Sequence, residues 1–345
     1  MRLILLLVVF FPAFVHGQSK YSSAGKKFFR QATEAYVAGN VDAAIGFFEE
    51  CVDTDPNFAE AYLNLASIYY HRGYFEKALE CAQNAYAHNR YQPEVYVELG
   101  KSYFQNGNYD SSVVMLTRAV TEFNNTSDDV YLHLAKSLTR TGDNEKAIEF
   151  LEKILAKNPN HAAALNERGT AYFNLGDNEN ALADFNAALE QAPGEAAIYS
   201  NLASLAMATG DSLALQENLA KAMEIATSSE KINLLLLKGN IQVASGSLAD
   251  AEATFAEAFA IDKGNVAVLV NQAALFISRD DYEKAWLKCN DALEIDNQNM
   301  EAYFNRGIAN EMLRRTEDAC LDWEQAFILG SEIAEEYLNS PTCTE

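Results

Sequence analysis

The sequence predicts an all-α solenoid, a stack of paired helices that grows by repetition and needs no single core to bury its 345 residues. Three observations predict it. A pattern of aromatic and aliphatic residues returns every 34 residues. Small residues return at fixed places within that pattern, as they must where two helix backbones come close. A glycine returns between two apolar-periodic segments and is followed by a residue able to cap a helix.

The repeat is legible in the residues themselves. The run Tyr62-Leu63-Asn64-Leu65-Ala66-Ser67-Ile68-Tyr69-Tyr70 is followed by Gly73, and Tyr96-Val97-Glu98-Leu99-Gly100-Lys101-Ser102-Tyr103-Phe104 by Gly107. The same pattern recurs at 165–173 with Gly176, at 199–207 with Gly210, and at 303–311. These residues resemble the tetratricopeptide motif. Framed on it, nine repeats occupy 25–58, 59–92, 93–126, 128–161, 162–195, 196–229, 232–265, 266–299 and 300–333, with register breaks at Ser127 and at Glu230-Lys231. Residues 18–24 form an N-terminal lead, and 334–345 a C-terminal cap and tail in which a short helix from Ala334 covers the last apolar face. The resemblance implies a right-handed superhelix.

Each element of the repeat has a physical reason. The first helix carries a small residue at motif position 8: Ala32, Ala66, Gly100, Ala135, Gly169, Ala203, Gly239, Ala273 and Gly307. The second carries one at position 20 in all copies except Leu215 of repeat six, and alanine at position 27 in most copies. Larger residues such as Phe48, Leu116, Leu151, Phe185, Leu219, Phe255 and Trp323 fill the facing holes. Gly39, Gly73, Gly107, Gly142, Gly176, Gly210 and Gly246 close the first helices, and Asp280 and Arg314 replace that glycine in the last two repeats. Asn40, Asn108, Asp143, Asp177, Asp211, Ser247 and Asp281 follow as candidate caps. Pro56, Pro159 and Pro193 stop second helices. Leu215 and the two-residue insertion make the junction of repeats six and seven the least regular stretch.

The first residues read differently. Met1-Arg2 is a minimal positive region, Leu3 to Phe14 is apolar, and Val15-His16-Gly17 precedes Gln18 as at a signal-peptidase site. The run falls short of the about 20 residues a stable transmembrane anchor needs. Residues 1–17 are therefore expected to be a signal peptide, and the mature chain to be periplasmic or secreted, with no membrane insertion after cleavage. The formal net charge of −23 argues against nucleic-acid phosphates and anionic lipid as partners.

Catalytic signatures are missing. No Gly-x-Gly-x-x-Gly, Gly-x-x-x-x-Gly-Lys-Ser/Thr, His-Glu-x-x-His or Gly-x-Ser-x-Gly occurs. His71, His88, His133 and His161 fall in different repeats at unrelated motif positions, so no metal site and no cofactor is expected. Cys51, Cys81, Cys289, Cys320 and Cys343 form no Cys-x-x-Cys pair. Cys320 lies near the start of the last second helix, and a chain reversal near Ser331 would bring Cys343 back beside it. The two are either a disulfide or two free thiols. Asn124-Asn125-Thr126-Ser127 holds two overlapping glycosylation sequons, relevant in a eukaryotic secretory host.

The resemblance implies that first helices line a concave groove through motif positions 2, 5, 6, 9, 12 and 13. Position 6 carries Asn64, Asn201, Asn271 and Asn305, with Glu98, His133 and Glu167 in other copies. This is similar to the asparagine ladder with which the repeat region of O-linked N-acetylglucosamine transferase holds peptide backbones, although Asn is also simply common at that position in the family. Repeats two to four place Glu60, His71, Glu94, Lys101, Gln105, Asp129, Lys136 and Arg140 in the groove. Repeats six to eight place small and apolar residues there, among them Met207, Leu236, Val243, Val270 and Ile277. Those either form an exposed binding patch or are buried between neighbouring helices by tighter coiling. The expected function is an exported, non-enzymatic scaffold that binds extended peptide segments or a partner protein in the groove. The alternative is a non-catalytic accessory subunit of an envelope polysaccharide or glycosylation system. No residue pattern fixes the partner or the oligomeric state.

Overall fold

The computed structural model describes residues 21–344. The expected signal peptide, 1–17, and the start of the lead, 18–20, lie outside the described residues. The described residues form twenty helices and no strand. They fall into two units, divided after Ala192.

The first unit holds five helical hairpins: α1 (Ser23–Val37) with α2 (Val41–Thr54), α3 (Ala59–His71) with α4 (Phe75–His88), α5 (Pro93–Gln105) with α6 (Tyr109–Thr121), α7 (Asp128–Arg140) with α8 (Asn144–Lys157), and α9 (Ala162–Asn174) with α10 (Asn178–Gln191). The second holds α11 (Ala196–Thr209) with α12 (Ser212–Ile225), α13 (Ser228–Ala244) with α14 (Leu248–Ile261), α15 (Val266–Ser278) with α16 (Tyr282–Ile295), and α17 (Met300–Met312) with α18 (Thr316–Ile328). Two short helices, α19 (Glu332–Leu338) and α20 (Pro341–Thr344), close it.

Each hairpin turns on a residue in the left-handed region. Gly107 sits at φ +75° and Gly142 at +86°. Asp280 (φ 59°) and Arg314 (φ 62°) hold the same conformation without being glycine, so the turn geometry is imposed by the hairpin rather than by the residue. Capping divides the candidates. Asn40, Asp177, Asp211 and Asp281 accept from the backbone N–H three residues on. Asn108, Asp143 and Ser247 make no such bond.

The two helices of a hairpin meet through a size-matched pair. Position 8 of the first helix faces position 24 of the second, sixteen residues later. Where position 8 is glycine, the partner is large: Gly100 faces Leu116, Gly169 faces Phe185, Gly239 faces Phe255 and Gly307 faces Trp323. Leu116, Phe185, Phe255 and Trp323 are buried, as are Ala44, Ala78, Ala147, Ala181, Ala251, Ala285 and Ala319 at position 20. Repeat six breaks this rule. Leu215 stands where the others bury a small residue, Leu219 is only half-buried, and Ala222 is the one residue of α12 in the buried class. α12 still packs closely on α11; what it lacks is cover from the next hairpin, whose repeat follows the two-residue insertion.

The C-terminal end is closed by its own chain. Ala334 of α19 is buried, and Tyr337 packs on Trp323 and Phe304 with ring centroids 4.8 and 5.1 Å apart. Cys320 and Cys343 are joined in a disulfide, their Cα atoms 5.6 Å apart, which ties α20 to α18. Cys51, Cys81 and Cys289 are free, and burial pushes each thiol up to about 12, leaving little thiolate at neutral pH.

A methyl group added to Gly169 would sit 2.7 Å from Phe185 Cε1 and 3.2 Å from the Ala181 carbonyl oxygen. Gly169→Ala should therefore lower stability by about 1–3 kcal/mol through overpacking, despite the better helix propensity of alanine. Urea unfolding checks this; a variant as stable as wild type would show that α9 and α10 have slack at that contact.

Candidate binding surface

The groove residues separate by unit. In the first unit the exposed sides of α3, α5 and α7 are joined by a polar network. Gln105 Nε2 donates to the Tyr70 hydroxyl at 3.2 Å, and that hydroxyl lies 3.3 Å from His133 Nε2, two repeats away. His133 Nδ1 is 2.8 Å from the Asp129 carbonyl oxygen and 3.3 Å from its carboxylate. A neutral imidazole with its proton on Nδ1 satisfies both contacts, Tyr70 donating to Nε2. Lys101 Nζ lies 2.5 Å from Asp129 and 4.0 Å from Glu98, and Lys136 Nζ lies 3.8 Å from Glu167 on α9.

The charges are unequally settled. Burial alone would raise the Asp129 carboxyl, but hydrogen bonding by His133 and the charge of Lys101 hold it well below the usual carboxylate range. Burial pushes the Glu98 and Glu167 carboxyls up, and the nearby lysines only partly offset that. Burial would lower Lys101, yet Glu98 and Asp129 raise it above an ordinary lysine. Asp129 is thus the satisfied anion of the network, and Glu98 and Glu167 are the strained ones.

Asn64, expected in the groove, is 3% exposed, and its amide donates to the Glu60 carbonyl oxygen of its own helix at 2.7 Å. It is not free to hold a peptide. Asn271 uses its amide the same way, donating to the Ala267 carbonyl oxygen at 2.8 Å, but stays partly exposed. An Asn side chain reaching the carbonyl four residues back needs no ligand, which is the physical reason the position tolerates Asn so readily. Asn201 and Asn305 are half-buried.

In the second unit the apolar set divides. Val270 is 4% exposed and belongs to the core. Leu236 and Val243 pack against Phe255 and Leu275. Val270 therefore follows the burial alternative, and Leu236 and Val243 are half-buried against the core. Ile277 is half-buried, and Met207 remains 47% exposed. Much of what reaches solvent from α11, α13 and α15 is small and uncharged: Ala197, Ala208, Asn240, Ala244, Ala267 and Ala274 are all exposed, whereas Lys231 and Lys238 of α13 are half-buried.

Sequence reasoning missed two ion pairs inside hairpins. Arg168 grips Asp184 through Nε and Nη2 at 2.7 and 2.8 Å, and Arg306 grips Asp322 with Nη2 at 2.6 Å while Nη1 donates to Asn290. Both pairs occupy motif positions 7 and 23, which in earlier repeats hold Leu65 with Cys81, Leu99 with Met115 and Leu134 with Phe150. The joint change from apolar to oppositely charged at two positions sixteen apart was the available signal. Among the described residues no group of His, Cys, Asp and Glu could hold a metal ion, and no helix is long and apolar enough to cross a membrane.

Comparison with known proteins agrees with this architecture. Tetratricopeptide repeat family models match residues 35–83 in one case and 97–155 and 132–196 in another. The APC/C hetero-tetramer Cut9–Hcn1 is similar over 94% of this chain and 64% of its own, with a TM-score of 0.57 and 14% identity. The chain is a tetratricopeptide repeat protein. The human IFIT1 dimer with PPP-AAAA is similar over 88% of this chain and 73% of its own, with a TM-score of 0.55 and 17% identity, a likeness of fold alone. Sperm-associated antigen 1 of Homo sapiens is 24% identical over 109 residues, which span 32% of this chain and 12% of that protein. A tetratricopeptide fold supports a role as a protein–protein interaction scaffold.

The strained carboxylates give a pH test. With its folded pKa raised, Glu98 contributes most below the ordinary value of 4.5, and that contribution is lost as pH rises through the raised value. Glu98→Gln should melt higher than wild type at neutral pH, with the gap closing as pH falls towards roughly 4. Asp129, with its pKa depressed, contributes above its unfolded value and loses that only as pH falls through the depressed one. Asp129→Asn should therefore melt lower across the neutral range. Melting curves against pH decide; two profiles parallel to wild type would mean the network carries no net electrostatic stability.

Proposed function

We propose that the protein is an exported scaffold whose partner lays an extended segment along the exposed faces of α11, α13 and α15. The observation that supports this reading is the uncharged, small-residue surface on those three helices within a strongly acidic chain. Small side chains let a peptide backbone approach closely, and the absence of charge removes the desolvation cost of covering them. Met207 is a polarizable anchor that adapts to varied side chains, and the Asn271 side-chain oxygen, its nitrogen being engaged with Ala267, can accept from a peptide N–H. In the first unit the corresponding faces of α3, α5 and α7 are bridged by their own side chains, so a peptide there would have to displace ordered hydrogen bonds.

Export rests on the composition of residues 1–17 and is tested separately. Peptide mapping of the protein from its native host, without reductant, should give a first peptide beginning at Gln18 and a cross-linked peptide containing Cys320 and Cys343. A retained Met1 with both thiols alkylated would place the chain in a reducing compartment and end the export reading.

For the binding face, displayed random 12-residue peptides selected on the purified protein serve as the probe. Ala244→Trp with Ala274→Trp should weaken the selected peptides at least about tenfold by filling the surface, and Asn201→Ala with Asn271→Ala by a smaller factor. Unchanged binding to the tryptophan variant would show that the peptides sit elsewhere on the protein.

A further inference from the structure

A second surface lies on the opposite, second-helix side of the last repeat. The buried stripe of α18 is Ala319, Asp322, Trp323 and Ala326. Leu321 and Ile328, seven residues apart, therefore lie on one line along the other side of the helix. They are 63% and 67% exposed. Beyond the turn at Gly330, Ile333 of α19 adds a third large aliphatic side chain, 61% exposed. Around them stand Glu317, Asp318, Glu324, Glu332, Glu335 and Glu336, all exposed. Some exposed acids elsewhere find cations, as in Arg118 with Glu122 and Lys284 with Asp281, although many do not. Among the described residues none of these six enters an ion pair. Arg315, the adjacent cation, is turned onto the Trp286 ring at 5.1 Å.

We propose that the outer face of α18 with α19 docks a cationic amphipathic helical segment of a partner protein, its aliphatic stripe on Leu321, Ile328 and Ile333 and its lysines or arginines on the surrounding carboxylates. Charge complementarity selects this occupant. The unpaired carboxylates repel an anionic membrane and repel the same acidic face of a second copy. A helical ligand matches an i, i+7 spacing of anchors, whereas an extended strand would not. The surface is also held in shape before binding. The Cys320–Cys343 disulfide and the packing of Tyr337 on Trp323 fix α19 and α20 against α18, so little ordering remains to oppose association.

The probe is a fluorescein-labelled 18-residue peptide of leucine and lysine only, patterned as an amphipathic helix, titrated with full-length protein at about 150 mM salt, where long-range attraction is screened. Its control replaces every leucine with serine at equal charge. The leucine peptide should bind at least about tenfold more tightly than the serine peptide. Leu321→Ser with Ile328→Ser should remove that difference and leave the serine peptide unaffected. Glu317→Gln, Asp318→Asn and Glu324→Gln together should weaken the leucine peptide and flatten its salt dependence. Leu213→Ser, an equally exposed leucine on α12, should bind as wild type. These substitutions lie on exposed positions, and thermal melts confirm that each variant is folded. The proposal is overturned if the two peptides bind alike, or if Leu213→Ser costs as much as the α18 pair. Self-association in sedimentation equilibrium that disappears in the α18 pair would assign the face to a second copy and overturn it equally.

Discussion

The approach of two helix backbones within each hairpin is the constraint on which the rest depends. A hairpin of two helices of about fourteen residues cannot bury enough surface to stand alone. It is stable when a large side chain from one helix enters a gap left by a small one on the other, and when the next hairpin covers what remains. Phe255 over Gly239 and Trp323 over Gly307 are this contact at its tightest. Everything else about the sequence is free to vary around it, and does.

The variation shows what the contact permits. Positions 7 and 23 flank it and accept an apolar pair, a bidentate Arg–Asp pair, or mixed pairs such as Lys238 with Thr254 and Gln272 with Lys288. Position 20 accepts leucine in repeat six, where α12 stays packed on α11 but gains little cover from α13 and is the least buried second helix. The left-handed turn accepts Asp280 and Arg314 because stacking on both sides holds the hairpin closed even without glycine. A unit assembled from nearest-neighbour contacts can absorb such local faults one repeat at a time.

This explains which features were legible in the residues. Helix pairs and their turns follow from local patterns that recur in every copy, so the fold class stood out once the period was noticed. Groove exposure does not follow from position alone. Asn64 and Asn271 share one motif position, yet the first is buried and the second is not. The difference lies in what the surrounding repeats pack around it, which the motif position does not encode. Val270, Leu236 and Val243 were ambiguous for the same reason: the pattern marks them as inward, and only the distance between helices decides whether inward means exposed or packed. The Tyr70–His133 contact spans two repeats and so leaves no trace in the pattern of any one. Cys320 and Cys343 could be placed near one another from the chain reversal at Gly330 and Ser331, but bonding required their Cα separation.

The electrostatics then divide the labour between surfaces. In the first unit, opposite charges on α5, α7 and α9 meet each other across neighbouring repeats, and a ligand there would have to displace those contacts. In the second, the first-helix face carries almost no charge, and the acids gather on the outer helices, where many have no cation. Charge that is unpaired and solvated costs little in the free protein. It becomes an interaction only when a partner brings the opposite charge together with enough apolar surface to exclude water between them. An acidic chain with its uncharged face on one side and its exposed Leu321 and Ile328 among carboxylates on the other therefore has two surfaces that differ in what they can recognise. On the readings proposed above, one would accommodate a backbone with little regard to sequence, and the other would discriminate by charge and helical spacing. A scaffold that must hold two unlike partners at once requires that difference, since two copies of the same surface would compete for the same ligand.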